Sequence, residues 1–268
     1  MKALSRTLTM YPSLLRVAFA EAVAYRAEFL IWMLTTTMPL VMMALWTTVA
    51  AEAPVGRFDE PEMVTYFLVV FLTRILTGTW VVWLLVDEIR RGALSQRLLR
   101  PVHPLVAYSA ENLAGFPIRV AVALPMAVIL LATTGGERLS GSALDYVAFA
   151  WALLGAWLIN FLSMIAIGCL AFFIESALGL FGLWLAVSGL LSGYMLPLEI
   201  YPDVLRDVSD YLPFRFMISL PVEILMGRLP GAALGIALLV QLGWIAVFGG
   251  LCVVMWKKGL ARYAAFGG

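Results

Sequence analysis

The sequence predicts an all-α polytopic membrane protein whose 268 residues form one transmembrane domain, 1–268. Hydrophobic residues make up 63% of the chain and charged residues only 13%, whereas a soluble domain is about 45–50% apolar and about 25% charged. The mean hydropathy is +0.95. A transmembrane helix needs roughly 20 mostly apolar residues, and six segments meet that requirement. These predicted spans are residues 29–50, 63–86, 113–133, 146–174, 177–196 and 231–256.

Residues 1–28, ahead of the first span, predict an interfacial helix that lies along the membrane surface. Its apolar side chains recur at helical spacing and its basic ones lie off that stripe: Leu8, Tyr11, Leu15 and Ala18, against Arg6 and Arg16. Proline is accepted in the first turn of a helix, so this helix is expected to start near Pro12. A plain membrane anchor and an elbow that transmits force to the first span both fit the pattern.

The second span carries a charged side chain, Arg74, near its middle. A charge at the centre of a membrane helix costs about 2.5–3.5 kcal/mol on insertion scales. We therefore expect Arg74 to face the interior of the bundle, a water-filled cavity or a partner. Two interpretations stay open: a ligand or translocation-pathway residue, and a structural pair with a carboxylate, a backbone carbonyl or a lipid headgroup.

The loop after the second span, residues 87–105, holds the densest run of arginine in the chain: Arg90, Arg91, Arg97 and Arg100. Most other lysines and arginines outside the spans fall on the same side of the membrane as this loop and the two termini. The positive-inside rule places that side in the cytoplasm. The sequence therefore predicts a multi-pass membrane protein with both termini in the cytoplasm.

The third, fourth and sixth spans carry residues that bend helices or join them. Pro117 and Pro125 are expected to bend or loosen the third span. Asn160 in the fourth span and Gln241 in the sixth are expected to make hydrogen bonds between helices.

The fifth span carries small residues at helical spacing: Gly182, Ala186, Gly189 and Gly193. Spacings of four, three and four keep them on one helix face. Small side chains let two helix backbones approach closely. The stripe therefore predicts a tight helix contact, either within the chain or across a dimer.

The segment between the fifth and sixth spans, residues 197–230, is too apolar for a free loop and too broken for a span. Prolines recur along it, at Pro197, Pro202, Pro213, Pro221 and Pro230. Irregular backbone at membrane depth survives only where protein covers it or water reaches it. We expect short extracytoplasmic helices, on the surface or re-entrant, that cap the outer end of the protein.

Motifs for catalysis and metal binding are absent from the sequence. It has no G-x-x-x-x-G-K-[ST] phosphate loop, no H-E-x-x-H and no G-x-S-x-G. Its two cysteines, Cys169 and Cys252, both lie in apolar runs and predict small buried side chains. We therefore expect neither an enzyme nor a bound cofactor or metal, and no nucleic-acid partner. If the protein moves a solute uphill, the energy must come from another chain.

Two motifs resemble those of a known family. The loop reads EIRRGALSQRLLRPVHPL and the outer segment reads LSGYMLPLEIYPDVLRDVSDYLPF. With six spans and an N-terminal interfacial helix, they resemble a bacterial subfamily of type-2 ABC exporter permeases. The alternative without that resemblance is a self-associating membrane channel or scaffold that uses no ATPase.

The resemblance implies that residues 1–268 form a single permease domain of the bacterial cytoplasmic (inner) membrane. It also implies an ATP-driven exporter in which two permeases, of the same or related chains, each engage an ABC ATPase subunit that binds ATP and magnesium. The loop would hold a coupling helix, and alternating access would carry substrate out of the cytoplasm. The ATPase-docking residues implied are Glu88, Arg90, Arg91, Leu94, Arg97, Leu98 and Arg100, with Leu94 and Leu98 packing into the ATPase groove. The second and fifth spans would line the translocation pathway, with Arg74 in it, and the outer helices would form the exit lid.

Overall fold

The structure is a computed structural model that describes residues 2–25, 27, 31, 36–134, 138–229 and 231–266. These residues are mainly helical and contain no β-strand. The α-helices, numbered in chain order, are α1 (Lys2–Ala24), α2 (Met38–Glu52), α3 (Glu60–Thr77), α4 (Val81–Arg90), α5 (Leu94–Leu98), α6 (Pro104–Ala114), α7 (Phe116–Thr134), α8 (Ala143–Gly168), α9 (Ala177–Leu191), α10 (Asp203–Tyr211), α11 (Ser219–Leu225) and α12 (Ala232–Phe266). Short 3₁₀ helices cover Cys169–Phe172, Leu198–Ile200 and Arg215–Met217.

Four helical stretches are long and apolar enough to cross a membrane: Glu60–Arg90, Pro104–Leu130, Ala143–Phe172 and Ala232–Tyr263. They correspond to the predicted second, third, fourth and sixth spans. In the predicted first and fifth spans the structure has shorter apolar helices, α2 and α9, of 15 residues each. Residues 29–30 and 32–35 of the predicted first span lie outside the described residues. The all-α membrane fold is therefore confirmed, and the count of six spans stays a prediction.

The predicted second and fourth spans, Glu60–Arg90 and Ala143–Phe172, form the centre of the molecule. In each, 67% of the most apolar stretch is buried inside the protein, against 28% for Pro104–Leu130 and 22% for Ala232–Tyr263. A helix that is apolar all round and poorly buried by its own chain is suited to face lipid. Helix α8 packs against α3, α4, α9, α11 and α12 and so joins the elements that line the sites below.

The second span is broken near its middle, where α3 ends at Thr77 and α4 begins at Val81. The break frees the carbonyl of Gly78, which accepts a hydrogen bond from the Arg119 guanidinium. Asn112 donates to the Thr79 hydroxyl at 2.8 Å. A side chain of the next span thus satisfies the free Gly78 carbonyl, as backbone at membrane depth requires, and a second one binds the Thr79 side chain.

Three boundaries differ from the sequence predictions. Helix α1 begins at Lys2 and carries Pro12 in its interior, so the expected start near Pro12 is wrong. Helix α6 begins at Pro104, because the His103 imidazole accepts from the backbone N–H of Leu105 and proline suits the first turn. Helix α9 ends at Leu191, ahead of Gly193, whose φ of +82° favours glycine.

The outer segment folds into short helices, as the prolines predicted. Helix α11 is buried along its whole length and packs against α3 and α8. Gln241 donates to the carbonyls of Ala152 and Phe216, which confirms the predicted bridge between elements. The Asn160 amide instead donates to Ala156 in its own helix.

Candidate docking surface and membrane cavity

The loop between α4 and α6 is an ordered turn around the five-residue helix α5. The chain reverses at Gly92, whose φ of +73° is a left-handed conformation that glycine adopts without strain. The Gly92 carbonyl accepts from the Ser95 hydroxyl at 2.7 Å and from the Ser95 backbone N–H at 3.3 Å. This turn brings α5 back towards the start of α6.

Arg97 is the centre of a charged cluster that holds the loop in place. Its Nε lies 2.8 Å from both carboxylate oxygens of Glu88, and its Nη2 lies 3.1 Å from Oε2 of Glu111. The Tyr108 hydroxyl donates to Glu88, and the Arg97 Cζ atom lies 4.4 Å from the Tyr108 ring centroid. The cluster therefore joins α4, α5 and α6.

The side chains of Arg97 and Glu88 are only 14% and 13% exposed. Burial alone would lower the pKa of Arg97, but its hydrogen bonds and charge interactions with Glu111 and Glu88 outweigh that effect and raise the pKa. The guanidinium is therefore held charged and fully engaged within its own chain. Sequence reasoning missed Glu111 and Tyr108, although a carboxylate inside an otherwise apolar helix is a signal that a cationic partner is near.

The leucines of the loop divide between the interior and the surface. Leu94 is 0% exposed and belongs to an apolar cluster around α4 and the C-terminal half of α8. Leu98 is 39% exposed and Leu99 is 87% exposed. Leu94 and Leu98, predicted as a docking pair, are therefore not exposed together. Leu98 and Leu99 lie at the surface, and Leu94 packs into its own chain.

Three arginines of the loop are on the surface. Arg90, Arg91 and Arg100 are exposed. Arg91 pairs with Asp87 at 2.8 Å on the helix surface, and such exposed pairs contribute about 0–1 kcal/mol. Within the described part of the chain, no carboxylate pairs with Arg90 or Arg100.

Arg90 lines a groove of about 900 Å³. It is shared by the loop, the turn that follows α8 and the end of α12, and its lining includes Arg90, Leu98, Phe172, Glu175, Arg262 and Tyr263. Helix α1 packs against α6, which follows the same loop, and Tyr11 lies in hydrogen-bonding contact with Ser109 at 3.2 Å. The ends of the described chain therefore meet the loop at one end of the molecule.

Arg74 lines a separate cavity of about 190 Å³ between α3, α8, α9 and the start of the outer segment. The Tyr194 hydroxyl interacts with the Arg74 guanidinium, whose Cζ lies 5.9 Å from the Trp80 ring centroid. Ser192 also lines the cavity and is 2% exposed. The sequence had singled out Arg74 but not Tyr194 or Ser192, which come near it only through the turn after α9.

The small residues of the fifth span have different surroundings. Gly182 and Ala186 are exposed on α9, and a Cβ added at Gly182 would meet nothing within 4 Å. Gly189 faces Met195. Gly193 lies beyond the helix, where its carbonyl accepts from the Tyr66 hydroxyl at 2.7 Å. The face that continues along α9 is therefore shorter than the predicted stripe, and it is not covered by the described residues.

Charged residues at the other end of the molecule tie the outer segment to α3. Glu199 pairs with Arg228 at 3.2 Å and with Arg57 at 3.2 Å. Arg228 is 5% exposed, and its Cζ lies 4.2 Å from the Phe58 ring centroid. Glu62, at the start of α3, lies 4.0 Å from Arg228.

Comparison with protein families gives these sites a context. The model of the family described as ABC-2 family transporter protein matches residues 29–267, most of the chain. The chain belongs to the ABC-2 transporter family. None of the curated proteins compared with the chain matches it. The ABC-2 assignment confirms the resemblance drawn from the loop and the outer segment, and it makes the chain a multi-pass permease component of an ABC transporter. Permeases of this family are membrane subunits that typically carry no catalytic site, and membership implies partnership with an ATPase.

Proposed function

We propose that this ABC-2 permease is the membrane half of an ATP-driven exporter of the bacterial inner membrane. It pairs with a second permease, each docked on a separate ATPase subunit that binds ATP and magnesium. Substrate leaves the cytoplasm by alternating access through the two permeases, which cross the membrane with six spans each and contact lipid on their outer faces. Both termini and the 87–105 loop face the cytoplasm.

The proposal rests on two sets of side chains in the loop, one that fixes the shape of the loop and one that is exposed. Glu88, Leu94 and Arg97 are engaged within the chain and fix the shape of the loop. Arg90, Arg91 and Leu99 are exposed beside the groove. Such a rigid, basic and apolar projection suits a protein partner, because arginine forms specific paired contacts with carboxylates and exposed leucine gains from burial.

The proposed docking surface therefore differs in detail from the one that the sequence alone predicts. Its contact residues are Arg90, Arg91, Leu98, Leu99 and Arg100, and its supporting residues are Glu88, Leu94 and Arg97. The groove beside it adds the turn after α8 and the end of α12. When the ATPase subunits close on ATP, a loop braced against α4 and α6 transmits the movement to the second and third spans as a rigid body.

The test is a double charge reversal, Arg90→Glu with Arg91→Glu. Both side chains are exposed, so the fold should be preserved, while two attractive contacts with an acidic partner surface become repulsive. The variant should lose more than about tenfold in affinity for the ABC ATPase that co-purifies with the wild-type chain. Co-purification from membranes and ATP hydrolysis coupled to transport are the measurements.

Arg206→Glu is the matched control, since it reverses an exposed arginine in the outer segment. It should leave ATPase binding unchanged. Equal ATPase binding by the double variant and the wild type would contradict the docking surface. A stable homo-oligomer that conducts without nucleotide and binds no ATPase would favour the channel or scaffold instead.

A further inference from the structure

We propose that the cavity around Arg74 is a binding site for the anionic group of a small organic anion with an apolar or aromatic body. This inference deepens the proposed function, since it names the substrate class, and it rests on that function only for the subsequent release of the anion outside the cell. Binding itself is a property of this chain alone.

The cavity contains a positive charge, the guanidinium of Arg74. Tyr194 lines the cavity together with Arg74, and within the described residues no carboxylate pairs with this guanidinium. An arginine held at membrane depth without a counter-ion is costly, and an anion bound beside it would relieve that cost.

The same cavity also contains a polar side chain without a hydrogen-bond partner. Ser192 lines the cavity and is 2% exposed, and its hydroxyl oxygen has no hydrogen-bond partner among the described residues. A buried hydroxyl without a partner costs about 1–3 kcal/mol. The anionic oxygen of a ligand could accept from Ser192 and from Arg74, and hydrogen bonds to a charged group are the stronger kind.

Size and lining define the rest of the ligand. The cavity holds about 190 Å³, and an apolar cavity of about 150 Å³ is known to accept benzene. Its apolar lining consists of Met164, Trp184, Leu185, Met195, Met217 and Ile218. Thioethers and an indole favour contact with an aromatic ring. Gly189 keeps the cavity open, because a larger side chain there would extend towards Met195.

The experiment compares three probes of similar shape and different charge: benzoate, benzamide and benzamidine. Their binding to the full chain in phosphatidylcholine nanodiscs is measured by equilibrium dialysis, without any ATPase present. Benzoate should bind at least about tenfold more tightly than benzamide, and benzamidine more weakly than either. Arg74→Gln should abolish this preference, while Arg74→Lys should retain part of it.

Further variants keep the test decisive if Arg74→Gln does not fold. Ser192→Ala should weaken benzoate binding several-fold and leave benzamide binding less affected. Gly189→Leu should fill the cavity and reduce binding of all three probes. Arg206→Gln, at an exposed arginine of the outer segment, should bind as the wild type does. Equal binding of benzoate and benzamide by the wild type, or a preference that survives in Arg74→Gln, would overturn the inference.

The source of the anion is resolved by a second arm with phosphatidylglycerol added to the nanodiscs. Competition with benzoate would identify a lipid headgroup as the anion, and unchanged benzoate binding would identify a dissolved anion; both outcomes support an anion site. A chain that prefers benzoate but binds no ATPase would refute the docking proposal alone. A chain that binds the ATPase but shows no preference would refute the anion site alone.

Discussion

His103 shows how one side chain couples local structure to pH. It is the single histidine of the chain, and its Nδ1 atom accepts from the backbone N–H of Leu105 at 3.3 Å at the start of α6. The imidazole lies 5.7 Å from the Trp256 ring, centroid to centroid. Burial lowers the pKa of His103 below its ordinary value of 6.5. Only the neutral imidazole can accept the capping hydrogen bond.

The sign of the pH effect follows from this lowered pKa. The unfolded chain takes up a proton at His103 more readily than the folded chain, so stability is greatest above pH 6.5 and declines as the pH falls from there through the folded pKa. We expect the His103 contribution to the midpoint of thermal unfolding in nanodiscs to be constant above about pH 6.5 and to decline on acidification towards about pH 5. His103→Asn keeps a capping acceptor that does not titrate, and its profile should decline less. Parallel profiles for the two proteins would contradict the prediction.

The residue scale also shows what the sequence can and cannot predict. Helical spacing put Leu94 and Leu98 on one face, but α5 has only five residues and its neighbours decide which leucine is buried. Arg97 was predicted as an external contact, yet its partner Glu111 lies 14 residues away and is brought close only by the turn at Gly92. The type and charge of these residues were readable, whereas their partners depend on tertiary packing.

At the scale of elements, shared carboxylates join the outer segment to the turn before α3, in addition to the packing of α11 against α3. Its 3₁₀ helix at Leu198–Ile200 carries Glu199, which pairs with both Arg57 and Arg228. Arg228 is nearly inaccessible, so losing a carboxylate there leaves a poorly solvated charge. The prolines predicted short helices, but this network could not be foreseen because it joins residues more than a hundred positions apart.

Glu199→Gln should therefore loosen the outer segment. The change removes the negative charge shared by two arginines, so local opening of this segment should cost less free energy. Hydrogen exchange of the backbone amides of α10 and the preceding turn should become several-fold faster. Asp203→Asn is the control in the same segment, since its pair with Arg206 is exposed and such pairs contribute about 0–1 kcal/mol. Equal exchange in the two variants would count against a locking role for Glu199.

At the scale of the whole molecule, composition and apolar segments were enough to predict the fold class, and the family match supports the permease assignment. Segment lengths were less predictable, because the ends of membrane helices depend on neighbours. The break after α3 lies inside a continuous apolar run, and its stability comes from Arg119 and Asn112 on the next span. Neither partner can be paired with Gly78 or Thr79 from sequence spacing alone.

The pairing of two permeases can be tested at the exposed face of α9. Gly182 and Ala186 lie on this face, and no described part of the chain covers Gly182 within 4 Å of an added Cβ. If a second permease packs here, Ala186→Leu should separate the two helices and lower the dimer fraction, because close approach needs small side chains. If the face meets only lipid, the same change should be nearly neutral.

The measurement is the dimer fraction in nanodiscs by single-molecule photobleaching, over a range of chain-to-lipid ratios. Ala121→Leu is the matched control, because Ala121 is an exposed alanine on α7 within another membrane span. The expected result is a several-fold lower dimer fraction for Ala186→Leu, with Ala121→Leu unchanged. Thermal unfolding of both variants should match the wild type, since neither side chain enters the core of the single chain. Equal dimer fractions for the three proteins would place the pairing surface elsewhere on the chain and leave the face of α9 to lipid.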